Sequence, residues 1–204
     1  MEQRLLISFV GAPGVGKTTM CSELAKRLPM VRCILEDTDQ NLYLSKFYDD
    51  PLRWSFHSRI SIFAMHLQNY TKISLDSPVS LMDKCIPELI VYAQRAYELG
   101  HIDELEFALY RQLYDATNQL IPPIDLFVYL SCSAETCYKR MLKRGREFES
   151  NVSINYITDV INRYDAWAET IPEEKIVRVN TDDEADWCEK MNELMRIVEG
   201  RNKC

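Results

Sequence analysis

The sequence predicts an α/β fold in which helices cover both faces of a five-stranded parallel sheet. Five short apolar runs alternate along the 204-residue chain with longer segments whose apolar residues recur at helical spacing. The runs span residues 5–10, 30–35, 78–83, 126–130 and 175–179. Strands that alternate with helices in this way are joined by crossover connections, so they lie parallel and the helices pack on the sheet. Because no Pro-, Gly- or Ser-rich linker interrupts the pattern, residues 1–204 are expected to form one domain.

The overall composition excludes several classes of protein. The formal net charge of -7 argues against a general nucleic-acid binder or a protein that binds anionic membranes. No apolar run approaches the length of a membrane span, and the first strand begins too close to Met1 to leave room for a signal peptide. The seven cysteines include no C-x-x-C pair, which favours free thiols in a reducing, cytoplasmic environment.

A phosphate-binding motif follows the first predicted strand. Residues 11–18 fit G-x-x-x-x-G-K-[ST], and a helix is predicted from residue 18 to residue 28. The backbone N–H groups of such a loop surround phosphates, Lys17 adds a positive charge, and the Thr18 hydroxyl can bind Mg²⁺. Because the loop is polar, we expect Lys17 at the surface, where its replacement would leave the fold intact. The predicted ATP-binding residues are Gly11, Ala12, Pro13, Gly14, Val15, Gly16, Lys17, Thr18 and Thr19.

Carboxylates end the second and third predicted strands. Glu36 follows the run at residues 30–35, and Asp83 ends the run at residues 78–83. Ligands of open parallel sheets bind at this edge, which makes both acids site candidates. Asp83 also has the usual position of the acid that holds a Mg²⁺ ion opposite the Thr18 hydroxyl.

Between these strands, residues 41–50 are rich in aromatic side chains and are expected to be irregular. Residues 52–70 form a long predicted helix because their apolar residues recur at helical spacing. Trp54, Arg59 and His66 fall near its buried face, and each is interpreted there as a packed or hydrogen-bonded residue more readily than as a ligand contact.

The second half of the chain continues the alternation and carries a basic cluster. Helices are expected at residues 87–99, 103–120, 134–144, 154–167 and 184–198. At the end of the third of these, Arg140 and Arg144 lie on one helical face, and Arg146 follows in the next loop. Three guanidinium groups could therefore converge on phosphate oxygens, where phosphoryl transfer requires positive charge.

Two segments resemble the deoxynucleoside kinases of animal cells, some bacteria and large DNA viruses. Residues 47–56 contain R-W-S-F, and residues 143–149 match the R-G-R-x-x-E lid of that family. The resemblance implies a three-layer P-loop kinase fold with a short basic lid at about residues 143–150, and a 5′-kinase that uses ATP and Mg²⁺. It also implies the roles of individual residues. On the nucleoside side, Glu36 takes the proton of the 5′-hydroxyl, Tyr48 and Glu149 bind the 3′-hydroxyl, and Trp54 packs beside the sugar and base. On the ATP side, the resemblance implies that three arginines close over the triphosphate: Arg140, Arg144 and Arg146.

The chain departs from the family pattern at the acceptor side. Lys84 replaces the arginine of an acid-Arg-Ser segment, and lysine lacks the bidentate fork that fixes an oxygen rigidly. Arg59 replaces the glutamine that reads the base, and an arginine offers only donors. We hypothesise that Arg59 and Glu88 meet at the floor of the nucleoside pocket, with thymidine preferred or with broad acceptance of bases.

The resemblance further implies a homodimer built through long helices. The sequence supports a dimer only weakly, through apolar residues on more than one face of the helix at residues 87–99: Ile90, Val91, Tyr92 and Tyr97. Two other functions remain open, a deoxynucleoside monophosphate kinase and a nucleotide-sensing P-loop protein without enzyme activity. Against the latter, the chain has no Asn-Lys-x-Asp motif, and a sensor does not need a basic lid.

Overall fold

The computed structural model describes residues 4–28, 31–36, 41–73, 78–149 and 152–201. Within these ranges the chain forms a five-stranded parallel sheet flanked by helices, which confirms the predicted fold class. The strands are β1 (Leu5–Val10), β2 (Val31–Ile34), β3 (Val79–Asp83), β4 (Leu126–Ser131) and β5 (Ile176–Asn180). The helices are α1 (Lys17–Arg27), α2 (Leu44–Asp49), α3 (Pro51–Tyr70), α4 (Leu89–Glu98), α5 (Glu104–Leu120), α6 (Ala134–Arg144), α7 (Ile154–Ala168) and α8 (Glu184–Arg201).

The strand order places the phosphate loop at the centre of the sheet edge. The order is β2-β3-β1-β4-β5, so β1 pairs with β3 on one side and with β4 on the other. All six residues of β1 are buried, as expected for a strand covered on both faces. Phe9 is level with Asp83 of β3, and the chain enters the loop two residues later. The loop therefore begins beside Asp83, at the carboxyl edge where open sheets bind ligands.

The helices cover the sheet with their apolar faces. On α1, Met20, Cys21 and Leu24 are fully buried against the strands. Between α3 and α5, Phe63 and Tyr110 pack edge to face with ring centroids 5.8 Å apart, a favoured aromatic arrangement. None of the helices in the described ranges is long and apolar enough to cross a membrane.

Two segments differ from the elements expected from sequence. The aromatic-rich stretch contains the helix α2, because Phe47 is buried and supplies a tertiary contact that local sequence patterns do not report. The helix expected from residue 87 begins instead with a 3₁₀ turn, Ile86–Glu88, and continues as α4. This tighter turn forms where the Glu88 side chain bonds back to the backbone N–H of Cys85 at 3.3 Å. Of the predicted second strand, Met30 lies outside the described residues.

Candidate active site

One cleft of about 810 Å³ opens at the carboxyl edge of the sheet. It lies against the phosphate loop, the ends of β2 and β3, the helices α3, α4 and α6, and the start of α8. Most site residues predicted from sequence line it: Pro13, Gly14, Gly16, Lys17, Thr18, Thr19, Glu36, Tyr48, Arg59, Asp83, Lys84, Arg140, Arg144, Arg146 and Glu149. In the described part of the chain, five others do not line it: Gly11, Ala12, Val15, Trp54 and Glu88.

The phosphate loop joins β1 to α1 and depends on glycine at a close contact with α6. Gly14 has φ 85°, in the left-handed region, and a Cβ atom at this position would lie 2.7 Å from the carbonyl oxygen of Cys137. Any side chain would therefore push the loop away from α6. This close packing brings the loop beside the helix that carries Arg140 and Arg144.

Lys17 is buried, which corrects the expectation that it lies at the surface of a polar loop. Only 7% of the residue is exposed, and its Nζ donates to the carbonyl oxygens of Gly11 at 2.7 Å and Ala12 at 2.8 Å. Burial lowers the pKa of Lys17, and so does the nearby charge of Lys84, whereas the acids around it act in the opposite direction. The ammonium group thus stabilises the loop itself and can exchange its carbonyl partners for phosphate oxygens.

Thr18 and Asp83 meet at the start of α1. The Thr18 hydroxyl donates a short hydrogen bond to Asp83 Oδ2. Asp83 is 2% exposed, and its Oδ1 atom has no hydrogen-bond partner in the described ranges. Burial raises the pKa of Asp83, against the opposing effects of Lys17 and the Thr18 hydrogen bond. A buried carboxylate oxygen without a partner beside a hydroxyl is a fitting pair of oxygen ligands for Mg²⁺, which usually takes few protein ligands and binds phosphates and water as well.

Glu36 lies two residues beyond β2 and receives two donors. Both contact the same oxygen, Glu36 Oε1: Lys84 Nζ lies 3.3 Å from it, and His66 Nε2 lies 3.4 Å from it. Burial alone would raise the pKa of Glu36, but the charge of Lys84 and the hydrogen bond from His66 outweigh it and hold the pKa below its usual range. Glu36 is therefore an ionised carboxylate at neutral pH.

Lys84 reaches Glu36 from a strained backbone. Its φ of 73° lies in the left-handed region, which non-glycine residues rarely occupy. A backbone hydrogen bond from Lys84 N to Phe9 O, 3.1 Å long, holds the residue at the end of β3. Such strain is retained where the surrounding structure requires a side chain in one direction.

Arg59 lines the cleft from α3 and lies between two aromatic rings. The residue is 6% exposed, and its guanidinium carbon lies 4.8 Å from the ring centre of Phe47 and 5.2 Å from that of Tyr92. Its Nε atom is buried and has no hydrogen-bond partner in the described part of the chain. A guanidinium held between rings can present its N–H groups in one plane, as a base edge requires.

Glu88 does not meet Arg59, so the pairing proposed from sequence is wrong. The side chain is fully buried beneath the phosphate loop, where it accepts hydrogen bonds from Gly11 N at 3.4 Å and Cys85 N at 3.3 Å. The Tyr164 hydroxyl is a further hydrogen-bond partner. Glu88 therefore supports the loop from below instead of contacting a base.

Trp54 also lies outside the cleft, contrary to the role that the resemblance implies. The centre of the Trp54 ring is 5.8 Å from that of Tyr43 and 5.3 Å from that of His57. Lys46 Nζ lies 4.7 Å from the centre of the Trp54 ring. Both residues lie on α3, and Arg59, five residues later, faces the cleft. Five residues correspond to about 140° around the helix axis, so Trp54 points in a different direction from Arg59.

The lid arginines engage different partners. Arg140 donates to the Thr181 hydroxyl and to the Thr181 carbonyl, each at 2.8 Å, and to Val15 O at 3.3 Å. Arg144 Nη2 contacts both carboxylate oxygens of Glu149, and Arg146 Nη1 lies 3.7 Å from the same carboxylate. Arg140 thus ties the phosphate loop to the end of β5, whereas Arg144 and Arg146 form an ion-pair cluster within the lid.

Sequence reasoning missed one residue that contacts a cleft carboxylate, His66, and several that line the cleft, among them Phe47 and Tyr92 beside Arg59. His66 contacts Glu36, and its spacing of seven residues from Arg59, about two helical turns, is a signal that both face the same way. At the far end, the β5–α8 connection and α8 contribute four more lining residues: Thr181, Asp182, Glu184 and Trp187. Local sequence shows no motif there, because these residues reach the cleft only through the packing of α8 beside the phosphate loop.

Comparison with known proteins decides the family. The family model described as deoxynucleoside kinase matches residues 7–203. The chain belongs to the deoxynucleoside kinase family. It is therefore a phosphotransferase, and the resemblance noted from two sequence segments is confirmed over nearly the whole chain.

Several deoxynucleoside kinases are similar to this chain in sequence. A deoxyadenosine/deoxycytidine kinase of Bacillus subtilis is 33% identical over 165 residues, which cover 79% of this chain and 76% of the relative. A deoxyadenosine kinase of Dictyostelium discoideum is 29% identical over 175 residues, which cover 85% of this chain and 71% of the relative. The similarity therefore extends over most of each protein.

A solved structure shares the fold. The deoxyadenosine kinase of M. mycoides, determined with its products dCMP and dCDP, has a TM-score of 0.82 and is 21% identical; the match covers 95% of this chain and all of the other. Deoxynucleoside kinases use ATP as phosphate donor together with Mg²⁺. The oxygen pair of Thr18 and Asp83 fits that ion, which when bound would neutralise charge on the phosphates.

Proposed function

We propose that this deoxynucleoside kinase phosphorylates the 5′-hydroxyl of deoxynucleosides and accepts more than one base, thymidine among them. The observation that carries the proposal is the position of an ionised carboxylate, Glu36, in the same cleft as the phosphate loop. In-line transfer requires an acceptor hydroxyl beside a base and a donor phosphate held by cations. Glu36 provides the base, and Lys17 with the lid arginines provides the cations.

The acceptor end supports a nucleoside more than a nucleotide as substrate. Of the carboxylates that line the cleft, Glu36 and Glu149 are the two proposed to contact the acceptor, and Glu36 would repel a phosphate placed beside it. A nucleoside instead brings hydroxyl groups, which carboxylates bind well. Glu36 accepts the 5′-hydroxyl proton in this proposal, and Tyr48 and Glu149 bind the 3′-hydroxyl.

Broad acceptance of bases follows from the surroundings of Arg59. The guanidinium lies between the rings of Phe47 and Tyr92, and it forms none of the ion pairs identified among the described residues. Its N–H groups suit carbonyl or ring-nitrogen acceptors, which all four bases present in some arrangement and thymine presents as two carbonyls. Relatives named for deoxyadenosine and deoxycytidine support more than one base as substrate.

One assay tests the proposal against its alternatives. The purified chain is incubated with ATP and Mg²⁺ and with a deoxynucleoside, a deoxynucleoside monophosphate, or neither, and the products are identified by mass spectrometry. We expect 5′-monophosphates from several deoxynucleosides. Diphosphates formed from the monophosphates would favour a monophosphate kinase, and nucleotide binding without any product would favour a sensor. A Lys17→Met variant controls for contaminating kinases.

We also propose a homodimer, although of the four residues that suggested it in the sequence only Tyr97, at 37%, is exposed. Val91 is buried, and Ile90 and Tyr92 pack partly against the core of the same chain. On α5, in contrast, Leu105, Leu109 and Leu113 are spaced four residues apart and are 79%, 55% and 37% exposed. We therefore expect two copies to bury this stripe of leucines against each other. Light scattering at micromolar concentration should show a dimer, Leu109→Glu a monomer, and Leu52→Glu, on another exposed surface, no change.

A cytoplasmic location is the third part of the proposal. Six cysteines in the described ranges are free, and two pairs of them lie in contact: Cys21 with Cys33 at 2.7 Å between sulfur atoms and Cys132 with Cys137 at 3.1 Å. Thiols this close remain reduced in a reducing compartment. Fractionation of the source cells with an antibody against the chain tests this, and recovery in an oxidising compartment would contradict it.

A further inference from the structure

His66 is a buried polar residue whose ring contacts a carboxylate that lines the cleft. It lies on α3, is 1% exposed, and places Nε2 at 3.4 Å from Glu36 Oε1. The sequence pattern by itself indicates only an ordinary packed or hydrogen-bonded residue of the helix. In the structure, its hydrogen-bond partner is the carboxylate that is proposed to take the substrate proton.

The hydrogen bond defines which nitrogen of His66 carries the proton. An ionised carboxylate only accepts, so Nε2 must donate to Glu36. The other ring nitrogen, Nδ1, is buried and has no hydrogen-bond partner among the described residues. The proton that this hydrogen bond requires therefore lies on Nε2 of His66.

The two donors to Glu36 occupy the same oxygen. Lys84 and His66 both contact Oε1, and within the described ranges Oε2 forms no hydrogen bond. Glu36 lines the cleft, so Oε2 is the oxygen left for a substrate hydroxyl. One oxygen of the carboxylate is thereby held and the other remains available.

Lys84 alone would hold that oxygen loosely. A lysine ammonium is a point charge on a flexible stem, whereas an arginine would carry several donors in a rigid plane. His66 has only two rotatable side-chain bonds and is packed inside the protein. Its N–H therefore adds the directional constraint that the lysine lacks.

We propose that His66 is a positioning residue that fixes the Glu36 carboxylate through Oε1, so that Oε2 meets the 5′-hydroxyl of the substrate. The inference rests on the proposed function, because it assigns the proton acceptor to Glu36. His66 itself does not touch the substrate in this account. It acts on the rate of transfer by holding the base in the correct orientation.

Two amide variants separate this role from general packing. In His66→Gln the amide nitrogen replaces Nε2 and can still reach Glu36, whereas the shorter His66→Asn cannot. We expect His66→Asn to lower kcat by about 10- to 100-fold with less than about a threefold change in the KM for the deoxynucleoside, and His66→Gln to retain most of the activity. If His66→Asn does not fold, which thermal melting will show, His66→Phe fills the same space without a donor and takes its place.

A double variant provides the decisive measurement. Once Glu36→Gln has removed the proton acceptor, its orientation no longer matters, so adding His66→Asn should lower kcat by less than about twofold further. Asn69→Leu is the matched control: it also removes a buried polar group from α3, but its side chain bonds to Lys72 and not to Glu36. It should leave kcat near the wild-type value.

The outcomes distinguish the inference from the function on which it rests. Additive effects of Glu36→Gln and His66→Asn, or equal losses in His66→Gln and His66→Asn, would overturn the positioning role while the kinase activity stands. A wild-type chain that phosphorylates no deoxynucleoside would overturn the proposed function and this inference with it.

Discussion

Arg144 Nη2 lies 2.7 Å from each of the two carboxylate oxygens of Glu149. The pair joins the end of α6, where phosphate-binding arginines are proposed, to the residue proposed to bind the sugar 3′-hydroxyl. Arg144 is the more exposed partner, whereas Glu149 is 8% exposed and faces the cleft. Replacing Glu149 therefore tests the acceptor side while leaving every basic group of the lid in place.

For Glu149→Gln we expect the KM of the deoxynucleoside to rise about tenfold, because a hydrogen bond to a charged acceptor is worth about 1.5–3 kcal/mol and the amide is uncharged. The KM of ATP should not rise, since Arg144 is released and remains able to bind phosphate. Initial rates with each substrate varied in turn provide both constants. Glu147→Gln, exposed in the same 3₁₀ turn, is the control. A higher KM for ATP alone would contradict the assignment of Glu149 to the sugar.

Lys17→Ala should abolish phosphoryl transfer and also destabilise the protein. The ammonium group holds the carbonyl oxygens of Gly11 and Ala12, so its loss leaves buried acceptors unpaired at a cost of about 1–3 kcal/mol. Thermal melting and ATP turnover are measured on the same sample. Lys26→Ala, whose side chain at the exposed end of α1 is 71% accessible, should change neither. Wild-type turnover by Lys17→Ala would remove the basis for the phosphate-loop assignment.

Glu36→Gln should lower kcat by about a hundredfold with little effect on nucleoside binding, because the amide keeps the shape and loses the proton acceptor. Asp37→Asn should have a much smaller effect, although Asp37 lies outside the described residues. The comparison is made at neutral pH. A larger loss in Asp37→Asn than in Glu36→Gln would assign the base to Asp37.

The pH dependence of kcat should report on Lys84. The pKa of Glu36 lies below its ordinary value of 4.5, so the carboxylate stays ionised, and able to accept a proton, at every pH above that value. Protonation of Glu36 should therefore not limit kcat between about pH 6 and pH 8. Lys84→Met removes the cation that does most to lower this pKa, so the acidic limb of the profile should move to higher pH. An acidic limb at the same pH in both proteins would show that Lys84 does not control Glu36.

Arg59→Gln should change the preference among bases. Arginine offers only donors, whereas glutamine offers a donor and an acceptor, so the variant should gain relative activity on deoxycytidine or deoxyadenosine, whose bases carry amino groups. The kcat/KM values for four deoxynucleosides are compared in both proteins. Arg111→Gln, exposed on α5, is the control. An unchanged ranking would mean that the Arg59 guanidinium does not contact the base.

Local sequence was sufficient for the parts of this protein that are built locally. The phosphate loop is contiguous, and its backbone geometry depends on glycines at fixed spacing, so residues 11–18 could be placed between β1 and α1 from sequence. The alternation of apolar strands with helices likewise predicted the parallel sheet, because hydrophobic periodicity reflects which face of each element is buried. The same reasoning placed Asp83 at the end of its strand and Glu36 just beyond its own.

Only the tertiary structure decided which side chains meet. Glu36 and His66 are 30 residues apart, and Gly11 and Glu88 are 77 apart, so no local pattern reports either contact. On α3, Arg59 faces the cleft and Trp54 does not. Which residues of a helix face the cleft depends on how the helix is rotated against its neighbours, and the packing of the whole core sets that rotation. For the same reason Glu88, which looked like a partner for Arg59, lies instead beneath the phosphate loop: burial and the backbone N–H groups of Gly11 and Cys85 determine where its carboxylate is hydrogen-bonded.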